Sequence, residues 1–174
     1  MRAEVAIRDA TEADAEAVQA IYAHHVLHGT ASYDVEPPSV STMSDKIRYV
    51  REVGWPFIVA QLGGEIAGYA YATQFRDREA YRFTAEDSIY VHPAMMGRGI
   101  GTRLLKALLE RSAECGFKTM VAVIGGAEPA SIAVHAALGF EEVGRLKAVG
   151  WKKERWLDNV YMQRTLSGEG TGAA

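Results

Sequence analysis

Apolar positions along the chain change their spacing several times, and each change marks an element. Val5-Ala6-Ile7-Arg8 reads as a short strand. Thr11 followed three residues on by Asp14 is a helix-start signature, and Val18, Ile21, Tyr22, His25 and Val26 then recur at helical spacing until Gly29. Residues 30–38 have no period and end in Pro37-Pro38, which cannot continue a hydrogen-bonded element, so they form a loop. Ser41 or Thr42 caps a second helix reaching about Val53, with Met43, Ile47 and Val50 as its buried stripe. Residues 56–62 and 66–73 are strands joined across Gly63-Gly64, a hairpin dipeptide. A polar and aromatic stretch with three arginines, residues 74–85, precedes an apolar strand containing Ile89, Tyr90 and Val91. Beyond a glycine-spaced turn, Ile100, Leu104, Leu105, Leu108 and Leu109 make a strong helical stripe that Gly116 stops. Residues 119–124 read as a strand buried on both faces, residues 129–138 as a helix closed by Gly139, and residues 142–149 and 159–166 as two last strands.

The order β-α-α-β-β-β-α-β-α-β-β predicts an α/β fold with a mixed central sheet covered by helices. The 174 residues suit one domain, residues 1–166, followed by a Gly/Ser-rich, linker-like tail at 167–174 that is expected to be disordered. Apolar residues at 48% and charged residues at 24% give the balance of a soluble globular chain. A net charge of −3 without a basic stripe offers nucleic acid no electrostatic footprint, and no apolar run approaches the ~20 residues that span a bilayer. The single cysteine, Cys115, excludes an internal disulfide and reads as a packed small residue; with no signal-peptide pattern, a cytoplasmic location is expected. His24 and His25 face different directions on their helix with no third ligand at metal spacing, so no metal is expected.

The chemistry is concentrated in residues 86–109. Gly97, Gly99 and Gly101 let the backbone close around a bulky anion at a helix start, where unpaired N–H groups and the helix dipole favour negative charge. The spacing lacks the Gly-Lys-Ser/Thr ending of a P-loop, and Thr102 stands where a dinucleotide fingerprint needs its third glycine. What remains is Arg/Gln-x-x-Gly-x-Gly/Ala.

That loop resembles the pyrophosphate loop of the GNAT superfamily of N-acetyltransferases, departing from it at Met96, where Gln or Arg is usual. Within the superfamily the sequence is similar to the branch of phosphinothricin and methionine sulfoximine N-acetyltransferases. The likeness rests on Thr30-Ala31-Ser32-Tyr33, Ala80-Tyr81-Arg82, residues 84–91, Val121-Ala122-Val123-Ile124-Gly125, Ser131-Ile132 with His135, Leu138-Gly139-Phe140 and Trp156-Leu157-Asp158. It implies a mostly antiparallel sheet with helices on both faces, whose fourth and fifth strands splay apart to admit acetyl-CoA. It also implies a homodimer.

Under this resemblance Met96, Gly97, Arg98, Gly99, Ile100, Gly101 and Thr102 cradle the pyrophosphate, while Ile89, Tyr90 and Val91 pair with the pantetheine and supply an oxyanion N–H. Ser131 lies near CoA, and Glu128 stands where the branch has an Asn that bonds pantetheine. An amine attacks a thioester only when unprotonated, so a base is needed. Glu86 is the candidate, through a water: from pattern alone it is equally an exposed strand-end carboxylate, but the branch places its proposed base there. Asp87, one residue on, faces the other side of the strand, so one carboxylate of the two is expected in the cleft. His135 occupies the position of a general acid for the leaving thiolate, or alternatively only packs against CoA.

Substrate selection is expected from Arg76, Asp77, Arg78, Tyr81 and Arg82, with Arg76 and Arg78 the favoured carboxylate pair, and from Asp87, Ser88 and Tyr33. Individual arginines are as suited to surface pairs with Asp77 or Glu79. Trp151 and Trp156 are expected in the core or the pocket wall. The reading is an acetyl-CoA-dependent N-acetyltransferase acting by direct transfer in a ternary complex on the α-amino group of a small amino-acid analogue of methionine sulfoximine, methionine sulfone or phosphinothricin type. The alternatives are another amine, such as an aminoglycoside, a polyamine or a protein N-terminus, and a CoA-binding module without catalysis.

Overall fold

A computed structural model describes residues 4–166; the expected tail at 167–174 lies outside the described residues. Seven strands, β1 (Ala6–Asp9), β2 (Phe57–Leu62), β3 (Glu65–Gln74), β4 (Thr84–Val91), β5 (Thr119–Gly125), β6 (Glu141–Lys152) and β7 (Arg155–Thr165), form one sheet in the order β1-β2-β3-β4-β5-β7-β6. Every neighbouring pair is antiparallel except β4 and β5. Four helices, α1 (Ala15–His28), α2 (Val40–Glu52), α3 (Ile100–Glu114) and α4 (Pro129–Ala137), cover the sheet.

Each face has its own core, set by strand alternation. Under α1 and α2, Val18, Ile21, Met43, Ile47 and Val50 pack on Phe57, Val59 and Tyr69. On the opposite face Leu104, Leu105 and Leu108 of α3 pack on Ile58, Ala60, Ala70, Ala72 and Ala85, with Met120 and Ala122 from β5. The small residues of β3 let α3 come close: a Cβ on Gly68 would sit 3.0 Å from the Leu104 side chain.

Element ends differ from expectation where local chemistry was ambiguous. Thr11–Asp14 forms a 3₁₀ turn, in which the Asp14 carboxylate accepts from Thr11 N–H and is paired with Arg8 at 2.8 Å. The cap of α2 is Ser39, two residues before the expected position, its hydroxyl accepting from Thr42 N–H. The final hairpin is much longer than expected because β6 is exposed almost throughout, so no buried face imposes a period of two on its sequence. Its turn uses Lys153 and Glu154, both at positive φ, in place of glycine. Trp151 and Trp156 pack edge-to-face, centroids 5.2 Å apart, and are 58% and 63% exposed, so neither is core or pocket wall. Cys115 is also exposed, its thiol bonded to Ser112 O.

Candidate active site

The sheet opens between β4 and β5. Their parallel pairing covers Thr84–Glu86 against Thr119–Val121 and then ceases, although β4 continues to Val91 and β5 to Gly125. The gap is a cavity of roughly 310 Å³, within the range of small-molecule sites. Because it passes between strands, it is lined from both faces of the sheet.

Register assigns the residues to those faces. Glu86 lies opposite Thr73 and Tyr90 opposite Tyr69, on the side of α1 and α2; Asp87 lies opposite Ala72 and Ile89 opposite Ala70, on the side of α3. The two carboxylates point to opposite faces as expected, yet both line the cavity, which corrects the expectation of one. On the Glu86 side the wall is completed by Tyr22 of α1, Ala31, Ser32, Tyr33 and Asp34 of the α1–α2 loop, Tyr71, Ser88, Val123, Gly125 and Asn159. On the Asp87 side it includes Ser131 and His135 of α4.

The electrostatics of the two sides differ. Burial raises the Glu86 carboxyl above its ordinary value; Arg76, 3.6 Å away, opposes the shift and Asp87 adds to it. Across the sheet, His135 and Asp87 form a buried pair, side chains 5% exposed, at 3.1 Å. His135 Nδ1 is 2.7 Å from Ser131 O and Nε2 faces the Asp87 oxygens, so both ring nitrogens meet acceptors. Burial alone would lower the His135 pKa, but the hydrogen bond and charge of Asp87, with the Ser131 carbonyl, raise it overall.

The anion loop has the geometry its glycines suggested. Gly97 and Gly99 have φ of 75° and 76°, with open space where a Cβ would be. Gly99 caps α3 with no side-chain hydrogen bond, leaving the first-turn N–H groups for a ligand. These residues fit the diphosphate of a CoA ester through backbone, which makes Met96, 57% exposed, a tolerable departure. Ile100 is buried in the α3 core, as its place in the apolar stripe predicts, so it offers only its backbone to the loop. Glu128 caps α4: its carboxylate accepts from Ser131 N–H at 2.8 Å, on the helix end that favours negative charge.

The arginine loop is where geometry departs most. Arg76, Asp77, Arg78, Tyr81 and Arg82 are exposed and none lines the cavity. Arg76 stacks on Phe75 and reaches Glu86, whereas Arg82 lies over the Phe83 ring, so the expected Arg76/Arg78 fork is not assembled. Neither Asp77 nor Glu79 pairs with an arginine among the described residues. Conversely, Tyr22, Ser32, Asp34, Tyr71 and Asn159 line the cavity without having been singled out. Tyr22 carries a helical stripe in sequence, and only the fold turns its hydroxyl to Ser32 and Asp34. Asn159 has no sequence signal. His25 Nε2 donates to Val91 O at the end of β4, and no cluster of three metal-ligating side chains occurs among the described residues.

The acetyltransferase (GNAT) family model matches residues 18–140. Phosphinothricin N-acetyltransferase of Alcaligenes faecalis is 44% identical over 92% of this chain and 82% of its own length. L-methionine sulfoximine/L-methionine sulfone acetyltransferase of Salmonella typhimurium is 37% identical over 92% and 94%. Among solved structures, a GNAT superfamily phosphinothricin acetyltransferase from Sinorhizobium meliloti, in complex with AcCoA, superposes with a TM-score of 0.94 at 48% identity, over 98% of this chain and 92% of that one.

Proposed function

The chain belongs to the acetyltransferase (GNAT) family, and on that premise we propose that it transfers acetyl from acetyl-CoA to the α-amino group of a small amino-acid analogue of the methionine sulfoximine, methionine sulfone or phosphinothricin type. The observation that carries the reading is the cavity through the split sheet. It lets the thioester, held from the α3 and α4 side, meet an amine arriving from the α1 and α2 side. Direct attack in a ternary complex follows from that two-sided access.

The acceptor occupies the chamber beside Glu86, Tyr71, Ser88 and Asn159. Glu86 takes the amine proton through a water; a carboxyl raised by burial is a stronger base than a solvated one. The β3–β4 register turns Tyr90 N–H toward Tyr69 of β3, so the backbone N–H groups that β4 offers to the gap are those of Ile89 and Val91; they stabilise the oxyanion, and the same edge pairs with pantetheine amides. Gly97, Gly99 and the first turn of α3 take the pyrophosphate. His135, whose pKa the Asp87 carboxylate and the Ser131 carbonyl raise, lines the cavity and supplies the proton for the departing thiolate. Arg76 sits at the mouth, where it both holds Glu86 and meets an incoming carboxylate.

A second amine class has an observation in its favour. The charged groups around the Glu86 chamber are carboxylates, Asp34 and Glu86, while the arginines stand outside, which suits a polycationic acceptor. One assay separates the readings: thiol release from acetyl-CoA with methionine sulfoximine, methionine sulfone, phosphinothricin, spermidine and kanamycin. Turnover confined to the amino-acid analogues supports the first, and turnover of spermidine alone replaces it with the second.

A further inference from the structure

The α1–α2 loop crosses the ends of β5 and the β6–β7 hairpin as a strap, and its residues 31–34 wall the chamber beside Glu86. Two side chains fasten it. Lys152, on β6 and only 7% exposed, donates from Nζ to Ser32 O at 2.7 Å. Tyr33 turns its hydroxyl away from the role of a ligand contact: it donates to Asp158 O at 3.0 Å and accepts from Gly126 N–H at 3.2 Å. The Tyr33 ring lies in a slot cut by glycine. A Cβ on Gly150 would come within 2.5 Å of the ring and one on Gly125 within 3.0 Å. Inside the strap, Ser32 Oγ bonds Tyr22 and accepts from Asp34 N–H, and Tyr22 donates to Asp34, so fixing the strap fixes that polar wall.

A buried ammonium is a costly way to hold one carbonyl. Burial and the neighbouring Lys153 lower its pKa, with Asp34 opposing them. We propose that Lys152 and Tyr33 are positioning residues for the acceptor: they clamp the strap against the β6–β7 hairpin and thereby shape the amine chamber, without taking part in acetyl-CoA binding. This rests on the assignment of the Glu86 face to the acceptor.

The test uses Lys152→Met, Tyr33→Phe and Gly150→Ala. The last removes no polar group and stands at an ordinary φ, so it displaces the ring without a conformational penalty of its own. With the amine that the wild type turns over best, each variant should raise the acceptor KM about tenfold, hold kcat within threefold, and leave the calorimetric Kd for acetyl-CoA within twofold. Amide exchange of residues 29–39, measured on the same proteins without any acceptor, should quicken at least tenfold in the strap alone. An unchanged acceptor KM, an equal loss of acetyl-CoA affinity, or unchanged strap exchange overturns the proposal. If the wild type turns over no amine, the acetyltransferase reading fails, while the exchange measurement still decides whether the clamp exists. Melting curves identify a variant that is merely unfolded, and Tyr33→Phe, which loses one oxygen, is the variant least exposed to that outcome.

Discussion

Glu86 and Asp87 are neighbours in sequence, yet Glu86 and the buried pair of Asp87 with His135 are opposites in behaviour. Burial raises the Glu86 carboxyl, so its charge opposes folding above both its folded and unfolded values. Glu86→Gln should therefore lower kcat by ~10²–10⁴-fold, the usual worth of a positioned base, while its melting temperature at pH 8 stays at or above that of the wild type. The ascending limb of kcat/KM against pH should lie above the ordinary glutamate value of ~4.3 and flatten in the variant. His135 has the opposite sign. Its pKa is raised in the fold, so its stabilisation is complete below ~6.5 and disappears as pH climbs through the folded value. Chemical denaturation of wild type and His135→Asn should show a stability gap that is widest near pH 6 and narrows in alkali. Removing Asp87 as Asp87→Ala takes away the carboxylate that raises the His135 pKa, so burial drives the imidazole neutral with one ring nitrogen unpartnered, and the variant should cost about 1–3 kcal/mol. Sequence spacing could place Glu86 and Asp87 on opposite faces, but not show that both reach one cavity, because that depends on where β4 parts from β5.

At the scale of elements, α3 joins stability to binding. Its apolar stripe was plain in the spacing of Ile100, Leu104, Leu105 and Leu108, all of which are buried. Leu104→Ala should cost about 2–5 kcal/mol by urea denaturation, since the pleated surface beneath it cannot collapse into the void. At its N-terminus, Gly99→Ala forces a side chain to φ of 76°, a strain of ~1–3 kcal/mol. Calorimetry should show a weakened Kd for acetyl-CoA, whereas Gly144→Ala, in the exposed strand β6, should leave it unaltered. The glycine loop was legible because anion binding demands both backbone freedom and a helix start. The arginine loop was not: a run of guanidinium groups carries no information on direction, and Phe75 and Phe83 hold two of them outside the cavity. Strand β6 was misjudged in length for a related reason, since an element that buries neither face leaves no period to read.

For the molecule as a whole, the β6–β7 hairpin ends the sheet with an open edge and exposes Val143, Leu146, Val149, Trp151 and Trp156. Edges of that kind invite pairing, and we propose that a second copy of the chain covers this one, giving the homodimer implied by resemblance. Light scattering should return twice the chain mass, and Trp156→Lys should return the monomer. The order of elements and the α/β class followed from period alone, whereas the strap clamped by Lys152 and Tyr33 joins residues too distant in sequence for any pattern to connect. The central claim is that the split sheet brings an amine to a thioester beside Glu86. The measurement that tests it most directly is thiol release from acetyl-CoA over the amine panel, for wild type and Glu86→Gln. Turnover of methionine sulfoximine, methionine sulfone or phosphinothricin, reduced at least a hundredfold in Glu86→Gln with acetyl-CoA affinity intact, is the predicted result. Undiminished turnover in Glu86→Gln, or no turnover of any amine by a wild type that binds acetyl-CoA, would contradict it.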